Sequence, residues 1–271
     1  MNNSPLLLSD PHKILPLFPQ PHLSLVMEAI AAGNSPGIIW VDDDDQPQSA
    51  FIWDKAHCYY CGGDGSNEVF SDSIKKVLGR IVPEALNKKY DLFKVYYTSD
   101  TWGEEILTLF EKWKPELRGR TFFTLESVNR INSVSIPDYH LHRIDDSLLK
   151  STLKNLEYIR EEIELCWNSL SQFLSHGFGF CLSHDDEIIA WCTAEYVSRT
   201  HCGIGIETLG SYQNKGCATI LASSFVDHCQ NRGMCPHWDS WTTNLSSMRV
   251  AEKVGFKKTV EYSVAFGSFS T

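Results

Sequence analysis

The 271-residue sequence has no apolar run approaching the length that crosses a bilayer. Its first residues, Met1 to Pro11, carry neither a basic region nor a long apolar core. No secretory leader or membrane partner is therefore expected, and the expected location is cytoplasmic. Positive charge is in deficit: 24 Lys and Arg stand against 34 Asp and Glu, a net charge of −10. A nucleic-acid partner needs a basic face, which this balance argues against; cationic ligands are mildly favoured by steering. A paired-cysteine framework is missing too. The nine cysteines are odd in number and most lie in apolar patterns, as reduced thiols acting as small hydrophobes would. His57-Cys58-x-x-Cys61 has no second pair at matching distance, so no metal is expected. The four aspartates Asp42 to Asp45 lack the spaced ligands and distal Glu of a calcium loop and read as a solvated hairpin tip. What is present, 42% apolar and 21% charged residues, is globular in composition and long enough for one large domain or two ordinary ones.

The most informative stretch is Gly203 to Gly216, GIGIETLGSYQNKG, and the helix it opens into. Alternation of Ile204 and Ile206 with Gly205 and Glu207 predicts a strand, stopped by Leu209-Gly210-Ser211. Ala218, Leu221, Ala222, Phe225 and Cys229 then recur at helical spacing, up to Arg232-Gly233. The first turn of a helix has unpartnered N–H groups and the positive end of the macrodipole. Gly216 lets an anion approach that backbone and Lys215 adds charge, so a phosphate or pyrophosphate is the natural guest. Gln-x-x-Gly-x-Ala at 213–218 is neither a three-glycine dinucleotide fingerprint nor a Gly-Lys-Ser/Thr phosphate loop. It resembles the coenzyme A loop of the GNAT acetyltransferase superfamily. A second GNAT-like signature follows in order: the strand Cys235 to Trp241, then Asn244-x-x-Ser247 and Ala251-Glu252-Lys253-Val254-Gly255-Phe256. Around Trp238-Asp239 and Asn244 the text is similar to the branch that includes the zwittermicin A self-resistance acetyltransferase. The close resemblance covers about residues 177–266.

The resemblance implies a mixed α/β (α+β) fold whose sheet splays after the third core strand, with acetyl-CoA as cosubstrate lying in the gap. It implies coenzyme contacts from Thr208, Leu209, Gln213, Asn214, Lys215, Gly216, Cys217, Ala218, Thr219 and Asn244. Asn244 is also a good helix cap, and Cys217 reads either as a thiolate-favouring site at a helix start or as a small residue of the loop. An amine acceptor must lose a proton before attack, and a carboxylate serves as base. Glu207 is the best placed by sequence. Alternate strand residues face opposite ways, so it either faces the reacting centre or anchors a neighbouring loop; Glu195 and His201 are second choices. The tyrosine that often protonates the leaving thiolate is replaced by Ala251, which leaves Ser247, Tyr262, a water or no acid at all for that role.

Element order suggests two related halves. Strand, turn and strand at 37–53, then strand, helix, strand, helix and strand to residue 125, recur from 179 to 266. The expected division is 1–130, a degenerate GNAT-like half, and 131–271, the catalytic GNAT half, with a boundary near Val128 to Pro137; the alternative for the first half is a single unrelated N-terminal cap. Where the second half has its anion loop, the first has Cys61-Gly62-Gly63-Asp64-Gly65-Ser66, whose acidic neighbours repel phosphate. The expected activity is acetyl transfer to a primary amine of a small molecule, an aminopolyol or polyamine ranking above a protein; a homodimer is admitted. The competing reading, hinted at by Ala251, is a coenzyme A-binding sensor or scaffold without turnover.

Overall fold

The computed structural model describes residues 5–128 and 138–270. The boundary expected near 128–137 therefore falls, beyond its first residue, outside the described residues. The chain divides into two compact units, one of residues 1–120 with 262–271, the other of 121–261.

The first unit begins with β1 (Leu6–Leu7), a 3₁₀ turn (Pro11–Leu17) and α1 (Pro21–Ala31). Then come β2 (Ile38–Val41), β3 (Ser49–Trp53), β4 (Cys58–Gly63), α2 (Glu68–Asn87), β5 (Leu92–Tyr97) and α3 (Asp100–Leu109). The next strand, β6 (Glu116–Leu125), crosses into the second unit after Arg120. β2, β3 and β4 form an antiparallel meander, and β4 pairs parallel with β5 from Cys58–Lys94 to Cys61–Tyr97. The sequence pattern predicts α2 only to Arg80, before Pro83. The helix runs seven residues further because Ile81, Val82 and Ala85 are buried against the core, which outweighs the proline. The core holds Phe51, Trp53, Tyr59, Phe93, Trp102, Phe110 and Phe269.

The second unit contains β7 (Tyr139–Arg143), α4 (Asp146–Leu149), α5 (Leu156–Cys166), α6 (Leu170–His176), β8 (Gly179–His184), β9 (Glu187–Val197), β10 (His201–Thr208), α7 (Cys217–Asn231), β11 (Cys235–Trp241) and α8 (Leu245–Val254). β12 (Phe256–Ser268) then leaves for the first unit after Glu261. β7 to β10 are antiparallel neighbours and β10 pairs parallel with β11. α7 covers one face of this sheet, burying Leu221, Ala222, Phe225 and Cys229, and the Cys192 thiol reaches the Leu221 carbonyl at 3.6 Å. α5 covers the other face, where Tyr158 stacks on Trp191 at 5.8 Å.

The expected halves 1–130 and 131–271 do not coincide with these units, because each half's last strand starts in its own unit and ends in the other. β12 pairs antiparallel with β5, Ala265 opposite Val95 and Ser268 opposite Leu92. In the second unit, β6 lies beside β11, with the Phe122 ring 5.0 Å from His237. Thr259 donates its hydroxyl to the Phe122 carbonyl at 3.1 Å.

Candidate active site

The parallel pairing of β10 and β11 covers His201 to Gly203 against Cys235 to His237 and stops there. β10 continues on β9 alone as far as Thr208, opposite Ala190. Backbone groups of β10 past Gly203 that face away from β9 thus have no partner strand among the described residues. A cleft of about 470 Å³ opens at this divergence, lined by Ile206, Glu207 and Thr208 of β10, Trp238 of β11, the start of α7 and one face of α8.

The loop after β10 is built to present backbone. Leu209 N–H bonds the Ile189 carbonyl at 3.0 Å, a 3₁₀ turn spans Gly210–Tyr212, and the Gln213 side-chain amide donates to the Thr208 carbonyl at 3.2 Å. Asn214 (φ 60°) and Gly216 (φ 88°) adopt left-handed conformations that turn the chain into α7. Gly216 is the N-cap residue and contributes no side-chain cap. The first helical bond is Ile220 N–H to the Gly216 carbonyl, so the amides of Cys217, Ala218 and Thr219 are left to a ligand or water. All three residues line the cleft. Cys217 is 1% exposed and burial pushes its thiol above the ordinary range, which favours the small-residue reading over a reactive thiolate.

The opposite wall is α8. Asn244 caps it, its Oδ1 accepting from Ser247 N–H at 3.1 Å and Ser246 Oγ at 2.9 Å. Trp238, 2% exposed, donates its indole N–H to the Ser247 hydroxyl at 3.0 Å. An indole can only donate, so Ser247 is the acceptor and keeps its own proton for another partner. Ala251 is fully buried. Tyr262 stacks on His22 at 3.8 Å within the first unit and does not line the cleft.

Glu207 is exposed and lines the cleft. It stands opposite Trp191, on the same face as Gly205 and Glu195. A Cβ added to Gly205 would sit 2.5 Å from Glu195 Oε1 and 3.0 Å from Glu162 Oε1, so two carboxylates close over this glycine. Neither Glu195 nor His201 lines the cleft; the His201 ring lies 4.8 Å from His237 and its Nδ1 bonds Thr200 at 2.8 Å. Of the residues expected at the coenzyme, Leu209 and Lys215 also lie off the cleft: Leu209 packs on the core, and the Lys215 ammonium sits 4.9 Å from the Tyr212 ring. Sequence reasoning missed Ser246, Arg249 and Val250, which form one helical stripe with Lys253. Their signal, basic and polar residues three and four apart, is also what a solvated helix face shows. Cys58 and Cys61, three apart on β4, point to opposite faces and cannot converge on one ion.

Comparison with known proteins decides the family. The model of the GNAT acetyltransferase family matches residues 15–265. The chain belongs to the GNAT acetyltransferase family. A relative in Bacillus subtilis strain 168, described as the uncharacterized N-acetyltransferase YdfB, is 31% identical over 233 residues, 85% of each chain. Among solved structures, a GCN5-related N-acetyltransferase-like protein of Streptococcus suis 89/1591 superposes with a TM-score of 0.68 at 18% identity, covering 96% of this chain and 98% of its own. A tandem GNAT protein from the clavulanic acid biosynthesis pathway gives 0.58 at 9% identity, covering 98% of each. This GNAT protein is thus an acyltransferase, an N-acetyltransferase of a family whose members use acetyl-CoA as cosubstrate. No helix among the described residues is long and apolar enough to cross a membrane.

Proposed function

We propose that this GNAT protein transfers the acetyl group of acetyl-CoA to a primary amine of a small molecule. The observation that carries the reading is one cleft joining three features: an uncapped helix N-terminus behind a left-handed glycine, a divergent strand pair, and an exposed carboxylate. These residues suit a coenzyme with a diphosphate and an extended arm. The amides of Cys217 to Thr219 would hold the diphosphate, with Gln213 and Asn214 shaping the loop and the Asn244 amide nitrogen, which donates to no described residue, facing the arm. Thr208, whose buried Oγ1 has no hydrogen-bond partner among the described residues, is the polar group at the acyl end. Acetyl-CoA supplies an activated acyl thioester. Glu207 takes the ammonium proton, directly or through water, and frees the nitrogen lone pair for attack on the thioester carbon. A β10 amide near Thr208 stabilises the developing oxyanion. As the C–S bond breaks, the Ser247 hydroxyl donates a hydrogen bond to the leaving sulfur, which takes up through water the second proton that the nitrogen gives up on becoming an amide.

We assign the first unit's part of residues 1–130 to a degenerate copy of the same fold that binds no coenzyme. Where α7 is uncapped, α2 is capped by Asn67 Oδ1, which accepts from Phe70 N–H at 3.0 Å. Where β10 and β11 diverge, β4 and β5 stay paired to the last residue of β5. The Asp64 loop is closed by Trp102, whose indole donates to the Gly63 carbonyl at 3.1 Å. The resemblance to the zwittermicin A branch points to an aminopolyol or polyamine acceptor. The competing reading, a coenzyme A sensor without turnover, rests on buried Ala251 in the tyrosine's place. Acetyl-CoA consumption over a panel of amines separates the two. Calorimetry should give one coenzyme per chain; two would overturn the assignment of the first half, and binding without turnover on every amine would favour the sensor.

A further inference from the structure

Resting on that reading, we infer that Arg249 and Lys253 of α8 recognise the 3′-phosphate of coenzyme A and so select it over 3′-dephosphorylated donors. The diphosphate has its own partners in the amides at the start of α7. The α8 wall carries a second set of groups for which a diphosphate leaves no use. Ser246, Arg249, Val250 and Lys253 all line the cleft, at the i, i+3, i+4, i+7 spacing of one helix face. At 1.5 Å per residue, Lys253 stands about 10 Å further along the axis than Ser246, so the cations extend well past the cap at Asn244.

Charge and exposure fit a dianion. The protein carries a net charge of −10, yet this wall presents two cations. Arg249 is exposed and makes no ion pair or hydrogen bond among the described residues. Its planar fork of donors matches a phosphate, and the lysine ammonium adds a compact charge beside it. Val250 lies between the two on the same stripe and offers an apolar surface for a nucleoside.

Calorimetry with coenzyme A and 3′-dephospho-coenzyme A tests this. Wild type should bind coenzyme A about tenfold more tightly than the dephosphorylated form, a difference that shrinks as salt rises. Arg249→Gln with Lys253→Gln should bind the two forms alike, at the affinity wild type has for 3′-dephospho-coenzyme A. Single variants should fall between. Arg249 is exposed and makes no ion pair or hydrogen bond among the described residues, so Arg249→Gln alone should leave the ligand-free melting temperature unmoved. Equal binding of the two forms by wild type overturns the inference. So does a double variant that weakens both forms equally, which would hand the cations to the diphosphate. Failure of wild type to bind either form would instead remove the coenzyme site itself.

Discussion

The indole of Trp238 donates to the hydroxyl of Ser247 at 3.0 Å, joining β11 to α8 across the cleft. Ser247→Ala should lower turnover about tenfold while keeping coenzyme affinity, as loss of one transition-state hydrogen bond does. Trp238→Phe keeps the ring and removes the N–H. It should lower turnover several-fold in wild type and not further in the Ser247→Ala background, as a double-mutant cycle would read. Full turnover in Ser247→Ala would take the leaving group away from this residue.

Glu207→Gln preserves shape and removes the charge. Turnover at saturating acetyl-CoA should fall on the order of a hundredfold or more, with the coenzyme-induced rise in melting temperature intact. Near-normal turnover across the pH range would move proton removal to Glu195, over Gly205, or to water.

Gly216→Glu places a carboxylate where the diphosphate would lie and a side chain where φ is 88°. The strain should cost about 1 kcal/mol of stability. The rise in melting temperature with acetyl-CoA should vanish, while far-ultraviolet circular dichroism stays that of wild type. Undiminished affinity in this variant would remove the loop from the coenzyme site.

His237 supplies a pH prediction. Burial, with the charge of His201, lowers its pKa from 6.5 to about 4, and its Nδ1 has no hydrogen-bond partner among the described residues. The unfolded chain protonates first, so this contribution is present in full above pH 6.5 and is lost as pH falls towards 4. After allowance for partial exposure, urea unfolding should show wild type losing about 2 kcal/mol more than His237→Gln over that window. Parallel stability curves would clear His237 of the acid sensitivity.

That the loop before α7 would expose its backbone was legible because the chemistry is local: Gly216 and the small residues after it leave the first amides of α7 uncapped with little help from elsewhere. Glu207 was half legible. Strand alternation gives two faces, and only the divergence at Gly203 and His237 brings it to the cleft. Arg249 was not legible, since a cation on an amphipathic helix reads as solvated until the opposite wall is known. The exchange of β6 and β12 was hidden for a similar reason. A strand's alternation records which face is buried and not which neighbour it bonds, so Phe256 to Phe266 reads the same beside either sheet.

That exchange bears on how the chain is made. Residues 265–268 complete the pairing of β5, about 170 positions after β5 itself is synthesised. As the polypeptide leaves the ribosome, the first half must wait with one sheet edge bare until nearly all of the second half has emerged. Bare edges invite pairing with other chains, so the edge at β5 is open to such pairing until residues 265–268 have been made.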